Sequence, residues 1–139
     1  MHYINQNLND MNHFEKVKYY LQELGYDITY EDATDQIYVI NSPEDGIQNL
    51  IVDCNDPILV IEQYLFDIDS SNAQVLGSLL KKNREIVHGA FALDDEGKRL
   101  IFRDTLELEN LDLNEIEASI NSLKLLMAEY ADEMLQFAK

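Results

Sequence analysis

The chain has 139 residues, 46% of them hydrophobic, with only two prolines and five glycines, a composition suited to one packed domain over 1–139 rather than to disorder or two cores. Its formal net charge of −17, from 27 acidic against 10 basic side chains, sets up a field that repels polyanions and argues against nucleic acid and anionic membranes as partners. Cys54 is the only cysteine and allows no intrachain disulfide; no leader-like start and no apolar stretch of membrane-spanning length occurs, so the expectation is a soluble cytoplasmic protein.

Residues 1–10 read as a loose N-terminal arm. Phe14, Val17, Leu21 and Leu24 then share one helical stripe, with Asn12 and Glu15 at capping-box spacing and Gly25 as a stop, which predicts a helix from Asn12 to Leu24. A strand-rich stretch follows. Ile28 and Tyr30 alternate with polar residues, Ile37 to Ile40 form an apolar run, and two further runs, Ile47 to Cys54 and Ile58 to Phe66, flank the turn Asn55-Asp56-Pro57. These read as three or four antiparallel strands with short loops.

A second, short helix starts after Asp69. Ser71 and Gln74 stand at capping-box spacing, and Val75, Leu76, Leu79 and Leu80 supply the apolar stripe. Val87 to Leu93 and Arg99 to Leu106 flank a loop around Gly97 and predict a hairpin. Last, Leu113, Ile116, Ile120, Leu123, Met127, Tyr130, Met134 and Phe137 recur at alternating intervals of three and four behind an Asp112/Glu115 cap. That seam predicts a helix of about 40 Å at about 1.5 Å per residue. It serves either as a core stripe on one sheet face or as a seam shared with a second chain. The order, α-β-β-β-α-β-β-α, lacks the strict alternation of a parallel sheet and indicates an α+β domain built on an antiparallel sheet.

The charges are unevenly spread. No Lys, Arg or His occurs between Lys18 and Lys81, while six of the ten basic residues, Lys81, Lys82, Arg84, Lys98, Arg99 and Arg103, gather around the second helix and the hairpin. This polarity is either a solvated surface or a device that orients a partner.

No catalytic, cofactor or metal site is recognisable. A phosphate loop needs clustered glycines and the familiar zinc sites need several Cys and His ligands; the chain has one Cys and the scattered His2, His13 and His88. Cys54 reads as a small apolar side chain and His88 as structural. The nearest enzymatic pattern is Asp67 and Asp69 after one apolar strand with Asp94 and Asp95 after another. Carboxylates so placed suit Mg²⁺ and phosphoryl transfer and faintly resemble the haloacid dehalogenase phosphatases. The connections are too short for that family's parallel sheet, and Asp69 at a helix start and Asp95 in a turn have simpler duties.

Three strings carry a more specific resemblance: LIVDCNDPILVIEQYLF (Leu50 to Phe66), KNREIVHGAFALDDEGKRLIFRDTLELENLDLNE (Lys82 to Glu115) and AEYADEM (Ala128 to Met134). They resemble the YbjN-like family, which is similar in fold to type III secretion chaperones, small acidic proteins that generally form homodimers and hold an extended segment of a client protein. The resemblance implies a non-enzymatic, chaperone-like or adaptor protein, a homodimer with a client or regulatory protein as partner. In that fold the middle helix and the following strand contribute to the dimer, which points to Val75, Leu76, Leu79, Leu80 and Phe91, although ordinary core packing accounts for the same five. A regulatory, stress-response module acting through protein contacts is the alternative.

Overall fold

A computed structural model describes Leu8 and residues 10–138. Of the arm expected at 1–10 only Leu8 and Asp10 fall among the described residues, and Leu8 is half-buried against the core. The elements are α1 (His13–Glu23), β1 (Asp27–Asp32), β2 (Ile37–Ser42), a 3₁₀ turn (Pro43–Asp45), β3 (Ile47–Asn55), β4 (Ile58–Asp67), α2 (Ala73–Asn83), β5 (Ala90–Leu93), β6 (Arg99–Glu107) and α3 (Leu113–Leu135). Four strands precede α2, one more than the order α-β-β-β-α-β-β-α and the larger of the two numbers expected; the first, β1, covers the segment where Ile28 and Tyr30 alternate with polar residues, and its residues are mostly exposed.

The six strands form one antiparallel sheet in the order β1-β2-β3-β4-β6-β5. Register places Tyr38, Val52, Ile61 and Asp104 in one cross-strand row, and Cys54, Leu59 and Leu106 in another. These rows face the helices. Tyr38 stacks its ring on Phe14 of α1 at 4.2 Å, and its hydroxyl donates to the Phe14 carbonyl at 2.8 Å. The other face carries the row Val39, Ile51, Glu62, Arg103 and Ala90. It is mixed in character, with Glu62 and Arg103 paired at 2.8 Å, as expected of a sheet covered on one side only.

The caps show why the helices start where they do. Asn12 Oδ1 accepts the Glu15 N–H at 2.8 Å, and Asp112 and Glu115 form a complete capping box. At α2 the cap is Asn72, one residue later than the spacing suggests, because its Oδ1 accepts the Gln74 and Val75 N–H groups. Ser71 instead donates its hydroxyl to Asp69 at 2.6 Å.

Along α3 the residues that bury are Ile116, Ser119, Ile120, Leu123, Leu126 and Met134. The stripe packs inside the chain's own core, which settles the choice between core and shared seam for these residues. Burying each of the fully enclosed Ile116, Ile120 and Leu123 stabilises the fold by about 1.5–3 kcal/mol relative to exposure. Leu126 replaces Met127 at depth because a straight helix turns every 3.6 residues and drifts from a heptad seam; the helix ends at Leu135, before Phe137. Val87 and His88 lie in the loop ahead of β5 rather than in a strand.

Candidate protein-binding site

The sheet has two edges and they are treated differently. On the β5 side, Asn83 at the end of α2 accepts the Phe91 N–H at 2.8 Å and donates Nδ2 to the Phe91 carbonyl at 3.2 Å. This amide imitates the backbone of a neighbouring strand and blocks that edge at its middle. No sequence signal marked Asn83, since the pairing joins a helix end to a strand eight residues on.

On the other side β1 pairs, among the described residues, only with β2. Beside its outer edge lies an open groove of about 570 Å³ lined by Lys18, Gln22, Tyr26, Ile28 and Tyr30. Lys18 of α1 bridges to Glu31 at 2.9 Å and sets the spacing between helix and strand. Asp32 ends the strand; the N–H groups of Asp35 and then Thr34 bond its carboxylate and hold its carboxyl below the usual range. Tyr30 is 54% exposed, so the edge offers backbone groups and an aromatic ring together, which is what an added strand uses for affinity and selectivity.

The five residues expected at a dimer or partner contact divide by depth. Leu79 and Phe91 are buried in the chain's own core, Val75 and Leu76 are half-buried, and Leu80 is 68% exposed. Lys81 and Arg84 are exposed, but Lys82 turns inward: its Nζ lies 2.7 Å from Glu133 Oε2 and 4.7 Å from the centroid of the Tyr130 ring. The basic cluster is therefore not one continuous patch.

Asp67 and Asp94 do line one cleft, with Lys98 and Arg99, whereas Asp69 and Asp95 lie outside it. Three of the four are already engaged locally. Asp67 accepts the Tyr64 hydroxyl at 2.9 Å, and Asp69 accepts from Ser71. Asp94 accepts the N–H groups of Arg99 and Lys98, which hold its carboxyl below the usual range. These are turn contacts on an antiparallel sheet, and the parallel sheet of the phosphatase pattern is absent. Among the described residues no group of three or more His, Cys, Asp or Glu is placed to hold a metal ion, and no helix is long and apolar enough to cross a membrane. Cys54 is buried; that burial, with the nearby Asp53 charge, pushes its thiol up to about 12. His88 is exposed, and its carbonyl accepts the Ser122 hydroxyl at 2.7 Å.

One twisted antiparallel sheet, helices on a single face, one closed edge and one open edge define a chaperone-type α+β fold. The CesT_Tir_1 model matches residues 10–139, and the chain belongs to this type III chaperone family. YbjN from E. coli, a proposed transcription regulator, superposes with a TM-score of 0.65 at 14% identity, over 87% of this chain and 92% of that one. The Yersinia pestis type III secretion chaperone SycH, solved with a stable fragment of YscM2, gives 0.58 at 16% identity, over 91% and 100%. The HopA1-SchA chaperone-effector complex gives 0.62 at 14% identity, over 86% and 94%. No curated protein matches the chain significantly.

Proposed function

We propose that the protein is a non-enzymatic, homodimeric, cytoplasmic chaperone-like or adaptor protein formed by a single domain, which holds an extended segment of a client along the outer edge of β1. The observation that carries this reading is the asymmetry of the sheet: Asn83 closes the β5 edge, while among the described residues β1 stands open beside a groove. Membership of the chaperone family and the likeness to chaperones solved with bound protein segments support it. The net charge of −17 favours clients with basic or amphipathic segments. Self-association uses α2 and β5, with Leu80, Leu76 and Val75 at the contact and Leu79 and Phe91 supporting them from beneath.

The test has two parts. Affinity purification from the native cell with mass spectrometry identifies a partner, and hydrogen exchange on the complex then reads where it sits. Added protection at the β1 amides is expected; unchanged exchange there sinks the edge reading. Light scattering at micromolar concentration is expected to give a dimer that Leu80→Asp converts to a monomer, and a wild-type monomer would count heavily against self-association.

The likeness to YbjN favours one second reading, a regulatory module whose binding changes another protein's activity. A deletion phenotype without any loss of a client's solubility supports it over client holding.

A further inference from the structure

The outward side of α3 holds a second surface that the β1 reading does not use. Leu125 is 56% exposed and stands between two grooves, both of which it lines together with Asn121. One groove, about 620 Å³, runs between α3 and the 3₁₀ turn at Pro43–Asp45; the other, about 290 Å³, runs between α3 and the segment 85–88. In the second, Val87 is 82% exposed.

Both outer walls are fixed in place. Tyr130 donates to Glu85 Oε2 at 2.5 Å and Ser122 donates to the His88 carbonyl at 2.7 Å, so the segment carrying Val87 is tied to α3 at each end. Opposite, the Gly46 carbonyl accepts Gln63 Nε2 at 3.0 Å, and Gly46 sits so tightly on Met127 that a Cβ there would lie 2.7 Å from Met127 Cβ. The grooves are thus preformed, and a ligand filling them orders little.

We infer that this ridge and its two grooves dock an amphipathic helix with basic flanks, presented by a partner protein. A helix is the fitting shape because α3 has its backbone groups bonded internally and offers side chains only, which rules out strand addition. A helix crossing at 8–10 Å sets side chains spaced three and four apart on either side of a ridge. Charge decides the chemistry. Glu44, Asp45, Glu85 and Glu129 line the grooves against one lysine, Lys124, which is 3.9 Å from Asp45. The side chains of Glu44 and Glu129 make no hydrogen bond or ion pair among the described residues. A second copy of the chain would bring the same carboxylates face to face, a repulsive arrangement, whereas lysines or arginines beside an apolar stripe complement them.

The probe is a fluorescent peptide of leucine and lysine in helical periodicity, titrated by anisotropy against the full chain. Expected are binding to the wild type, about tenfold weakening by Leu125→Asn, which leaves the charge unchanged, and no weakening by Ile51→Asn on the opposite sheet face. Equal binding of a sequence-scrambled peptide of the same composition, or equal affinity for the Leu125 variant, overturns the inference, since general charge attraction then suffices. Loss of self-association in the Leu125 variant without peptide also overturns it and assigns the ridge to a second copy. Hydrogen exchange at β1 is expected to stay unchanged with this peptide, so failure here leaves the edge reading standing and the reverse holds too.

Discussion

Ser119 Oγ, wholly buried on α3, donates a 2.8 Å hydrogen bond to Asp104 Oδ2 on β6. The bond joins the longest helix to the strand beneath it at a point otherwise surrounded by Ile116, Ile120 and Leu123. Ser119→Ala removes the donor and leaves the carboxylate facing an apolar neighbour, at a cost of about 1–2 kcal/mol. Urea unfolding checks this, and an unchanged midpoint would refute the role given to the bond.

Gly46 lies in the left-handed region, φ 78°, against Met127. Gly46→Ala combines backbone strain with an overlap that neither partner's backbone can relieve, and about 2 kcal/mol is expected to be lost. Met127→Ala costs less by itself. Because Met127→Ala keeps the Cβ that an alanine at position 46 would meet at 2.7 Å, the overlap persists and the two losses are expected to add to within about 0.5 kcal/mol; a double variant more stable than that sum by about 1 kcal/mol would show that the outer atoms of Met127, not its Cβ, make the tight contact.

Lys82 and its neighbours separate stability from association. Reversal at Lys82 breaks the Glu133 pair and the Tyr130 contact, and the side chain is only 14% exposed; Lys82→Glu is expected to cost about 1–2 kcal/mol, with part restored by Glu133→Lys. Lys81→Glu with Arg84→Glu changes exposed groups only. Calorimetry should show an unchanged melting temperature for that pair, while light scattering shows weaker self-association if α2 forms the dimer contact.

Stability is expected to fall on the alkaline side. In the unfolded chain Cys54 loses its proton near its ordinary value of 9.0, but in the fold it keeps it up to about 12. Below 9 the thiol is neutral in both states and the shift has no effect; between about 9 and 12 the unfolded state binds fewer protons, so rising pH favours unfolding. Tyr38, whose phenol burial raises well above 10.0, acts in the same direction. Urea midpoints from pH 8 to 11 should decline, less steeply in Cys54→Ala. A thiol reagent at pH 8 should label Cys54 only as fast as the chain opens.

Much of the scaffold was legible because local chemistry and tertiary demand agree. The Asp112/Glu115 box, the α3 stripe and the hairpin around Gly97 are each specified by residues close in sequence. The misplaced cap at α2 shows the limit: Ser71 and Asn72 both have capping side chains, and only Asp69, which captures the Ser71 hydroxyl, decides between them. The surfaces were harder still. Asn83 closing β5, Lys82 turning toward Glu133, and the grooves beside Leu125 are made by segments distant in the chain, so no window of sequence contains them.

The insertion of β6 between β4 and β5 has a consequence for synthesis. β4 is ten residues long, rich in Leu59, Val60 and Ile61, and it emerges from the ribosome well before the strand that covers it, since Ile58 pairs with Glu107. Until residues 99–107 arrive, the nascent chain displays a long apolar strand edge, the feature most prone to wrong pairing. A chain truncated after α2 should therefore aggregate, and the late arrival of β6 sets the moment at which the nascent sheet becomes safe.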